Sequence, residues 1–410
     1  MAEKLRVAIR KFRGFEIAIE RQFASWRQAS GSALELEYES LDLNPLVKAL
    51  FADQGLTRGE FDVAFICTDW LADAAAEGAL LDLAPMMAAD PVPGYPDAWA
   101  PSLLRQQTFG ESVYGLPYHD GPECPIFRKA LFDDPGHRAQ FQARHGFPLA
   151  PPRTWAQFET IARFFTHPEN GEYGTIFAGF PDGHNTVYDF CLQLWSRGGA
   201  LHDANGRPTL DTAPARAGLD FYRRMMKDRA ATPPGLAQID SVKSGELFVD
   251  GRIAMMVNWF GFAALCEQPG SPVKGKIDVA PLPTALGEIG PSLLVYWVLG
   301  VGIGSRHREA AYEFIRHCVS PEMDKITRLD GGIGCRRSTW QDPEINAMIP
   351  FFHKLASLHE TARELPRARQ LPELIRVIDR AVQAAITSDE PTEAILARAQ
   401  RDAAGINLNE

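Results

Sequence analysis

The chain reads Val113-Tyr114-Gly115-Leu116-Pro117-Tyr118, then Phe127-Arg128-Lys129-Ala130-Leu131-Phe132, then Pro151-Pro152-Arg153-Thr154-Trp155. The first apolar run ends near Pro117, because proline lacks the N–H group that a central strand needs, and a second apolar run resumes at Ile126. This punctuation predicts a passage of the chain from one lobe to another. After a proline-rich loop, Thr154 can accept the free N–H groups of a helix whose apolar residues recur every three or four positions.

The order and spacing of these segments resemble the extracytoplasmic solute-binding proteins of ABC importers, in particular the carbohydrate-binding group related to maltose-binding protein. Residues 201–210 are similar to the family's hairpin with an Asn-Gly turn, and residues 245–259 to its helix, tight turn and strand leading into the ligand cleft. Residues 280–283 resemble its return crossing, and residues 310–315 the helix that follows. The resemblance therefore covers nearly the whole chain.

The resemblance implies an α/β protein with a two-lobed periplasmic-binding-protein-like fold, each lobe a mostly parallel sheet flanked by helices. Strands alternating with helices in the first hundred residues predict a parallel sheet independently, and ligand groups gather at the carboxyl ends of such strands. We expect a first lobe of residues 1–116 and 284–320 and a second lobe of residues 119–280 and 323–410. Three crossings would form the hinge, near residues 116–119, 280–284 and 320–323.

Composition bounds the function. The chain has 410 residues, 45% of them hydrophobic, which is enough for two large lobes with their own cores. Its net charge is −10 and it has no long run of Lys or Arg, so nucleic acid is excluded as a partner. The longest apolar stretch, residues 293–304, is shorter than the ~20 residues of a membrane helix and is interpreted as a buried strand.

The cysteines and the N-terminus bear on the compartment. Six cysteines are scattered without the spacing of metal or redox sites, and their apolar neighbours favour buried free thiols over disulfides. Residues 1–4 lead directly into a strand-like run without the pattern of a secretory leader. Either a leader has been removed or the protein is made without one. The resemblance implies a periplasmic location, and a leaderless cytoplasmic ligand sensor is the alternative.

Sugars bind to aromatic faces and to polar groups that converge on their hydroxyls, so a sugar site requires both kinds of group close together. In the first lobe, Asp69-Trp70 follows the third predicted strand, while Arg13 and Glu39 stand at the ends of the first two. Asp69 either contacts the ligand or only caps a helix.

A second polar group follows the first crossing. Tyr118 offers a stacking ring and Asp120 a carboxylate, and both are predicted to contact the ligand. His119 is included as a candidate, although a neutral structural histidine is the favoured interpretation.

In the second lobe, Asn258-Trp259 matches the family's cleft-facing aromatic loop, and Trp259 is the predicted stacking residue. Asp182 lies on a glycine-bearing loop, where it either contacts the ligand or builds the turn. Arg336 follows a glycine-rich loop that the family often uses for ligand contact, but it could equally tie that loop to an acidic neighbour.

The cations near these positions leave an anionic ligand open, whereas the carboxylates Glu39, Asp69 and Asp120 favour a neutral sugar or sugar alcohol. No catalytic, metal or cofactor signature occurs, and residues 300–304 lack the full spacing of a dinucleotide loop. We therefore expect a non-enzymatic monomer without a cofactor that captures a small carbohydrate in a cleft and delivers it to an ABC permease. The alternative from another class is a glycoside hydrolase using paired carboxylates such as Asp69 and Asp120.

Overall fold

The computed structural model describes residues 3–287 and 289–409. It divides into two compact units. Unit 1 contains the residues up to Gly121 and Leu294–His359, and unit 2 contains Pro122–Leu293 and the residues from Glu360 onward.

The strands are β1 (Lys4–Arg10), β2 (Glu35–Leu41), β3 (Val63–Cys67), β4 (Thr108–Phe109), β5 (Ser112–Val113), β6 (Leu116–His119), β7 (Glu123–Phe127), β8 (Met255–Trp259), β9 (Asp278–Val279), β10 (Leu293–Leu294), β11 (Trp297–Val301) and β12 (Arg363–Glu364). The α-helices are α1 (Arg13–Ser30), α2 (Leu43–Val47), α3 (Gly55–Arg58), α4 (Leu71–Ala76), α5 (Ala84–Ala89), α6 (Ser102–Arg105), α7 (Lys129–Asp133), α8 (Pro135–His145), α9 (Trp155–Phe164), α10 (Asn185–Trp195), α11 (Ala213–Lys227), α12 (Ser241–Val249), α13 (Phe260–Leu265), α14 (Arg308–Cys318), α15 (Pro321–Leu329), α16 (Arg337–Trp340), α17 (Pro343–Met348), α18 (Leu355–Glu360), α19 (Leu371–Thr387) and α20 (Thr392–Asp402). Single 3₁₀ turns lie at Thr68–Trp70, Pro168–Asn170, Leu236–Gln238 and Phe352–Lys354, and a π-helical turn at Lys48–Ala52.

The sheet of unit 1 has the strand order β2-β1-β3-β11-β6. Strand β1 is parallel to β2 and β3, whereas β11 is antiparallel to both β3 and β6. Because β11 is antiparallel to β3 and β6 is antiparallel to β11, β6 runs parallel to β1, β2 and β3. Consequently β1, β2, β3 and β6 all end at one edge of the sheet, where β11 begins. The residues of β3 are buried throughout, which explains its unbroken apolar sequence.

The sheet of unit 2 corrects one expectation, because its strand β7 is antiparallel to β8, β9 and β10. The sequence predicted a mostly parallel sheet in each lobe. Alternation of strands and helices does not fix strand direction here, since the long helical connection from β7 to β8 can return the chain at either end of the sheet. Helix α10 is buried along its whole length and packs against α11 and α19.

The division of the chain also differs from the expected lobes. Residues 323–359, expected in the second lobe, lie in unit 1, whereas residues 284–293, expected in the first, lie in unit 2. Helix α15 packs against α1, where the buried Gln22 amide donates to the Met323 carbonyl at 3.0 Å and to the Thr327 hydroxyl at 2.8 Å. These buried contacts hold the segment after residue 320 in unit 1.

Several local predictions can be compared directly with the structure. Thr154 and Gln157 form a reciprocal capping box at the start of α9, as the motif predicted. All six cysteines are buried and free. The apolar stretch 293–304 holds two strands, β10 and β11, rather than one. Within the described part of the chain, no helix combines the length and the apolar character that a membrane crossing requires.

Candidate functional site

The carboxyl edge of the unit 1 sheet collects polar and aromatic side chains from separate parts of the sequence. The loops after β1, β2, β3 and β6 and the first residue of β11 meet there. Ligand groups of α/β proteins concentrate at such an edge. It is therefore the first place to look for a binding site in this unit.

Two partly exposed tryptophans stand at this edge. Trp70 follows β3, and Trp297 opens β11 opposite Cys67. Their ring centroids are 5.5 Å apart with the planes at 88°, and Phe51 lies edge-on to Trp70 at 6.2 Å. The two rings form an aromatic corner, which we call the unit 1 corner. Such rings offer an apolar face to the C–H groups of a ligand.

The sequence did not single out Trp297. Neighbouring side chains of a strand point to opposite faces, so only one of Tyr296 and Trp297 should face the core. Tyr296 is fully buried and donates from its hydroxyl to Gln107 Oε1 at 2.5 Å, so Trp297 is the member of the pair that faces outward. Alternation alone could not say which of the two was buried.

Asp69 lies beside the corner in the 3₁₀ turn that precedes α4. It is 7% exposed and packs against the thiol of Cys67. Burial, and then the nearby charge of Asp69, raises the pKa of that thiol. Asp69 therefore lies in the same turn as Trp70, with its side chain largely buried.

Arg13 and Glu39 are both exposed residues. The Arg13 side chain is 72% exposed and forms an ion pair with Glu16 at 3.1 Å. Glu39 lines a surface depression of about 370 Å³ together with Arg6, Glu37 and other residues of β1 and β2. Neither contact brings these two side chains to the unit 1 corner.

Tyr118 is a core residue of unit 1. It is 1% exposed, its hydroxyl donates to Gln22 Oε1 at 2.9 Å, and its ring lies 4.9 Å from that of Phe65. The expectation of a stacking ring at this position is therefore corrected, because the apolar pattern around Pro117 belongs to a buried strand.

The contacts of His119 agree with the interpretation that it is a neutral structural histidine. Its Nδ1 accepts the Ile333 N–H at 2.8 Å, and Phe15 lies edge-on at 4.7 Å. Removal from water, and then the charge of Arg328, lowers the pKa of His119 to about 3. The ring is neutral at neutral pH and orders the glycine-rich loop after α15.

Asp120 and Arg336 are both used inside unit 1. Asp120 is 1% exposed and its Oδ2 lies 2.8 Å from His359 Nε2. Arg336 is 3% exposed, and its guanidinium lies 4.2 Å over the Trp99 ring while donating to the carbonyls of Val319 and Pro93 at 2.5 and 2.7 Å. These environments correct the expected ligand contacts, because neither charge reaches solvent.

Trp259 is a partly exposed aromatic residue of unit 2, at the end of β8. Its ring lies edge-on to Tyr188 at 5.7 Å, and Tyr188 lies edge-on to His184 at 5.6 Å. We call these three rings the unit 2 aromatic row. Asn258 is 3% exposed and donates to Ser244 Oγ at 3.0 Å, so it anchors β8 to α12 instead of facing a ligand as predicted.

Asp182 builds the turn that opens α10. Its Oδ1 accepts the N–H groups of His184 at 2.8 Å and Asn185 at 3.2 Å, and its Oδ2 accepts the Asn185 side-chain amide at 3.0 Å. The side chain is only partly exposed. The turn-building interpretation therefore accounts for its contacts, and through them Asp182 positions His184 of the aromatic row.

Sequence reasoning missed a buried carboxyl in unit 2. Glu123 stands opposite Trp259 in the β7–β8 register and is 3% exposed. Burial, and then the charge of Asp189, raises the pKa of Glu123 well above its usual range. Burial also raises the pKa of Asp189 to about 7, although the Tyr222 hydroxyl, 2.8 Å away, opposes that rise. The available signal was a glutamate inside an otherwise apolar strand.

The described residues offer no group of three or more His, Cys, Asp or Glu that could hold a metal ion. The proposed acidic pair for glycoside hydrolysis, Asp69 and Asp120, consists of two buried side chains, and Asp120 is engaged by His359. Hydrolysis of this kind needs an acid and a base that both reach the substrate.

The model of the bacterial extracellular solute-binding protein family matches residues 26–325. A probable amino-acid ABC transporter periplasmic-binding protein of Sinorhizobium fredii is 27% identical, covering 89% of this chain and 80% of the relative. The mannitol-binding protein of Pseudomonas aeruginosa is 25% identical, covering 90% of this chain and 86% of the relative.

Solved structures agree on the fold. Maltose-bound MalE3 of T. maritima superposes with a TM-score of 0.85 at 23% identity, covering 98% of this chain and 99% of the other. A ribitol complex of an ABC transporter solute-binding protein from Agrobacterium radiobacter K84 gives 0.84 at 24% identity, with 98% of each chain covered. These matches confirm the predicted fold class.

Proposed function

We propose that this chain, which belongs to the family of bacterial extracellular solute-binding proteins, captures a small carbohydrate and delivers it to the membrane permease of an ABC importer. The family is non-enzymatic, so the output is a ligand-bound conformation rather than a product. The two relatives from Sinorhizobium and Pseudomonas are described as binding an amino acid and mannitol respectively, so the choice of solute class for this chain rests on the chemistry of its two aromatic clusters.

The distribution of tryptophans carries the proposal. The chain has eight, and five of them are at most 5% exposed: Trp26, Trp99, Trp155, Trp195 and Trp340. The three partly exposed ones are Trp70 and Trp297 of the unit 1 corner and Trp259 of the unit 2 aromatic row. Exposing a large ring is costly unless it has a use, and stacking on the C–H faces of a sugar or sugar alcohol is such a use.

Charge favours a neutral solute. Four cations kept an anionic ligand open. Lys11 and Arg13 are exposed but paired with Asp42 and Glu16, Arg336 is buried against carbonyl groups, and Arg337 is exposed. Asp69 precedes Trp70 in the chain, and Glu123 pairs with Trp259 in the β7–β8 register. These two carboxyls are only 7% and 3% exposed, so the partly exposed rings beside them are the proposed solute contacts. We further propose that the protein acts as a monomer in the periplasm, in agreement with the extracellular description of the family.

Thermal unfolding with a ligand panel tests the proposal. The panel comprises ribitol, D-mannitol, maltose, a sugar phosphate and amino acids. A solute at about 100 times its dissociation constant adds ~2.7 kcal/mol to the free energy of unfolding. We expect a shift with a polyol or sugar that Trp259→Ala and Trp297→Ala each remove. Met348→Ala, which truncates an exposed side chain outside both clusters, should retain it. A shift with amino acids alone would contradict the carbohydrate proposal.

A further inference from the structure

Three buried polar side chains of unit 1 form a connected array. His359 Nδ1 lies 2.9 Å from Ser102 Oγ, and His359 Nε2 lies 2.8 Å from Asp120 Oδ2. Ser102 is 4% exposed, His359 7% and Asp120 1%. We call these residues the Ser102–His359–Asp120 array.

The array is fixed on its other sides by aromatic and backbone groups. Trp340 stacks on the imidazole at 4.6 Å with the planes at 18°, and its indole N–H donates to the Gly334 carbonyl at 2.7 Å. The Asp120 N–H donates to the Ile333 carbonyl at 3.4 Å. Among the described residues, neither Asp120 carboxyl oxygen nor His359 Nε2 has another hydrogen-bond partner, so these groups depend on the 2.8 Å approach between them. Leaving a buried polar group without its partner is destabilising.

Two members of the array lie where the chain passes between the two units. Asp120 stands one residue before the chain first leaves unit 1, after Gly121. His359 is the last residue of unit 1 before the chain leaves it for the final time. Ser102 belongs to α6, in the body of unit 1. Two chain connections that are far apart in sequence are thus joined to each other and to one helix.

We propose that the Ser102–His359–Asp120 array links the unit 1 end of the first connection to the unit 1 end of the third. Breaking it releases both connections at once while leaving the second connection, at Leu293 and Leu294, unaffected. The same three residue types perform acyl transfer in hydrolases, but here the serine hydroxyl is buried and the array serves as a mechanical link.

Amide hydrogen exchange tests this proposed link between the two connections, and it needs no ligand. We expect Asp120→Asn to accelerate exchange about tenfold or more in peptides covering residues 117–124 and 355–362, because it replaces a carboxyl oxygen that faces His359 Nε2. A peptide covering residues 290–297 should exchange at the wild-type rate. Ser102→Ala keeps the contact between His359 and Asp120 and should accelerate the same two regions about threefold, so it tests the proposal even if Asp120→Asn fails to fold.

Asp62→Asn is the matched control. Asp62 is a buried carboxylate of unit 1 that accepts from the Arg6 N–H at 2.9 Å and the Ser305 hydroxyl at 2.6 Å, away from every connection. It should not produce selective acceleration at the first and third connections. Acceleration at one of these two connections only, at neither, or equally at all three connections would overturn the proposal.

Discussion

At the scale of single residues, the burial of Glu123 should make the stability of the protein depend on pH. Its pKa is raised by burial, and that of Asp189 is raised to about 7, so the folded state binds protons that the unfolded state releases near pH 4–4.5. The contribution is complete below the unfolded pKa and is lost as pH rises toward the folded pKa. The free energy of unfolding is therefore expected to fall between about pH 4.5 and 7 for this reason.

Glu123→Gln tests that linkage, since an amide replaces the protonated carboxyl without a charge to bury. We expect the variant to be more stable than wild type at pH 7.5 by about 1–3 kcal/mol, and equal to it near pH 4. Urea unfolding at both pH values measures the difference. Glu309→Gln, at an exposed position of α14, should show no such pH-dependent gain. Loss of stability at both pH values would show that Glu123 is ionised and needed as such.

Arg336 tests the corrected assignment of a predicted ligand residue. Arg336→Met removes two hydrogen bonds to carbonyls and the stacking on Trp99, so we expect a loss of about 2–4 kcal/mol in the free energy of unfolding. The dissociation constant of the solute, measured on the folded fraction by calorimetry, should stay within about twofold of wild type. A loss of affinity tenfold or greater with unchanged stability would restore the ligand role.

These residues show what sequence could and could not predict. Positions after strands identified the sheet edge that carries Asp69 and Trp70, because strand direction there follows from βαβ order. The burial of individual side chains could not be predicted from the sequence. Tyr118, Asp120 and Arg336 are chemically suited to bind a ligand, yet residues distant in sequence enclose them. His359, for example, is brought to Asp120 only by the tertiary fold.

At the scale of elements, the start of α9 was the most predictable feature, because capping depends on residues within one turn. Thr154→Ala removes the acceptor for the Gln157 N–H at 3.2 Å and should cost about 1 kcal/mol. Thermal unfolding measures it as a lower Tm. Thr160→Ala, in the middle of the same helix, is the control. It removes a hydrogen bond to the Ala156 carbonyl but introduces a better helix former, so it should not lower the Tm. Equal losses for both variants would contradict a specific capping role.

The unit 2 sheet marks the limit of prediction at this scale. Local sequence encodes that residues 123–127 and 255–259 are extended, but their antiparallel pairing depends on where the intervening helices return the chain. Residues 323–359 were assigned to the wrong unit for a similar reason. Their contacts with α1 in unit 1 are non-local and leave no local signature.

At the scale of the whole molecule, the order of segments was sufficient to identify the family, which the family match over residues 26–325 confirms. The solute class is a finer property than the fold, since relatives with similar coverage are described as binding different solutes. In this chain the partly exposed tryptophans in each unit, together with the burial of Arg336, favour a neutral carbohydrate.

Titration calorimetry of the wild-type protein with D-mannitol, ribitol and maltose, followed by recovery of the solute, tests the central claim most directly. The account predicts saturable binding of at least one of them at one solute per chain, with the solute recovered chemically unchanged. Binding of an amino acid with no response to any carbohydrate, or conversion of the sugar during the titration, would contradict it.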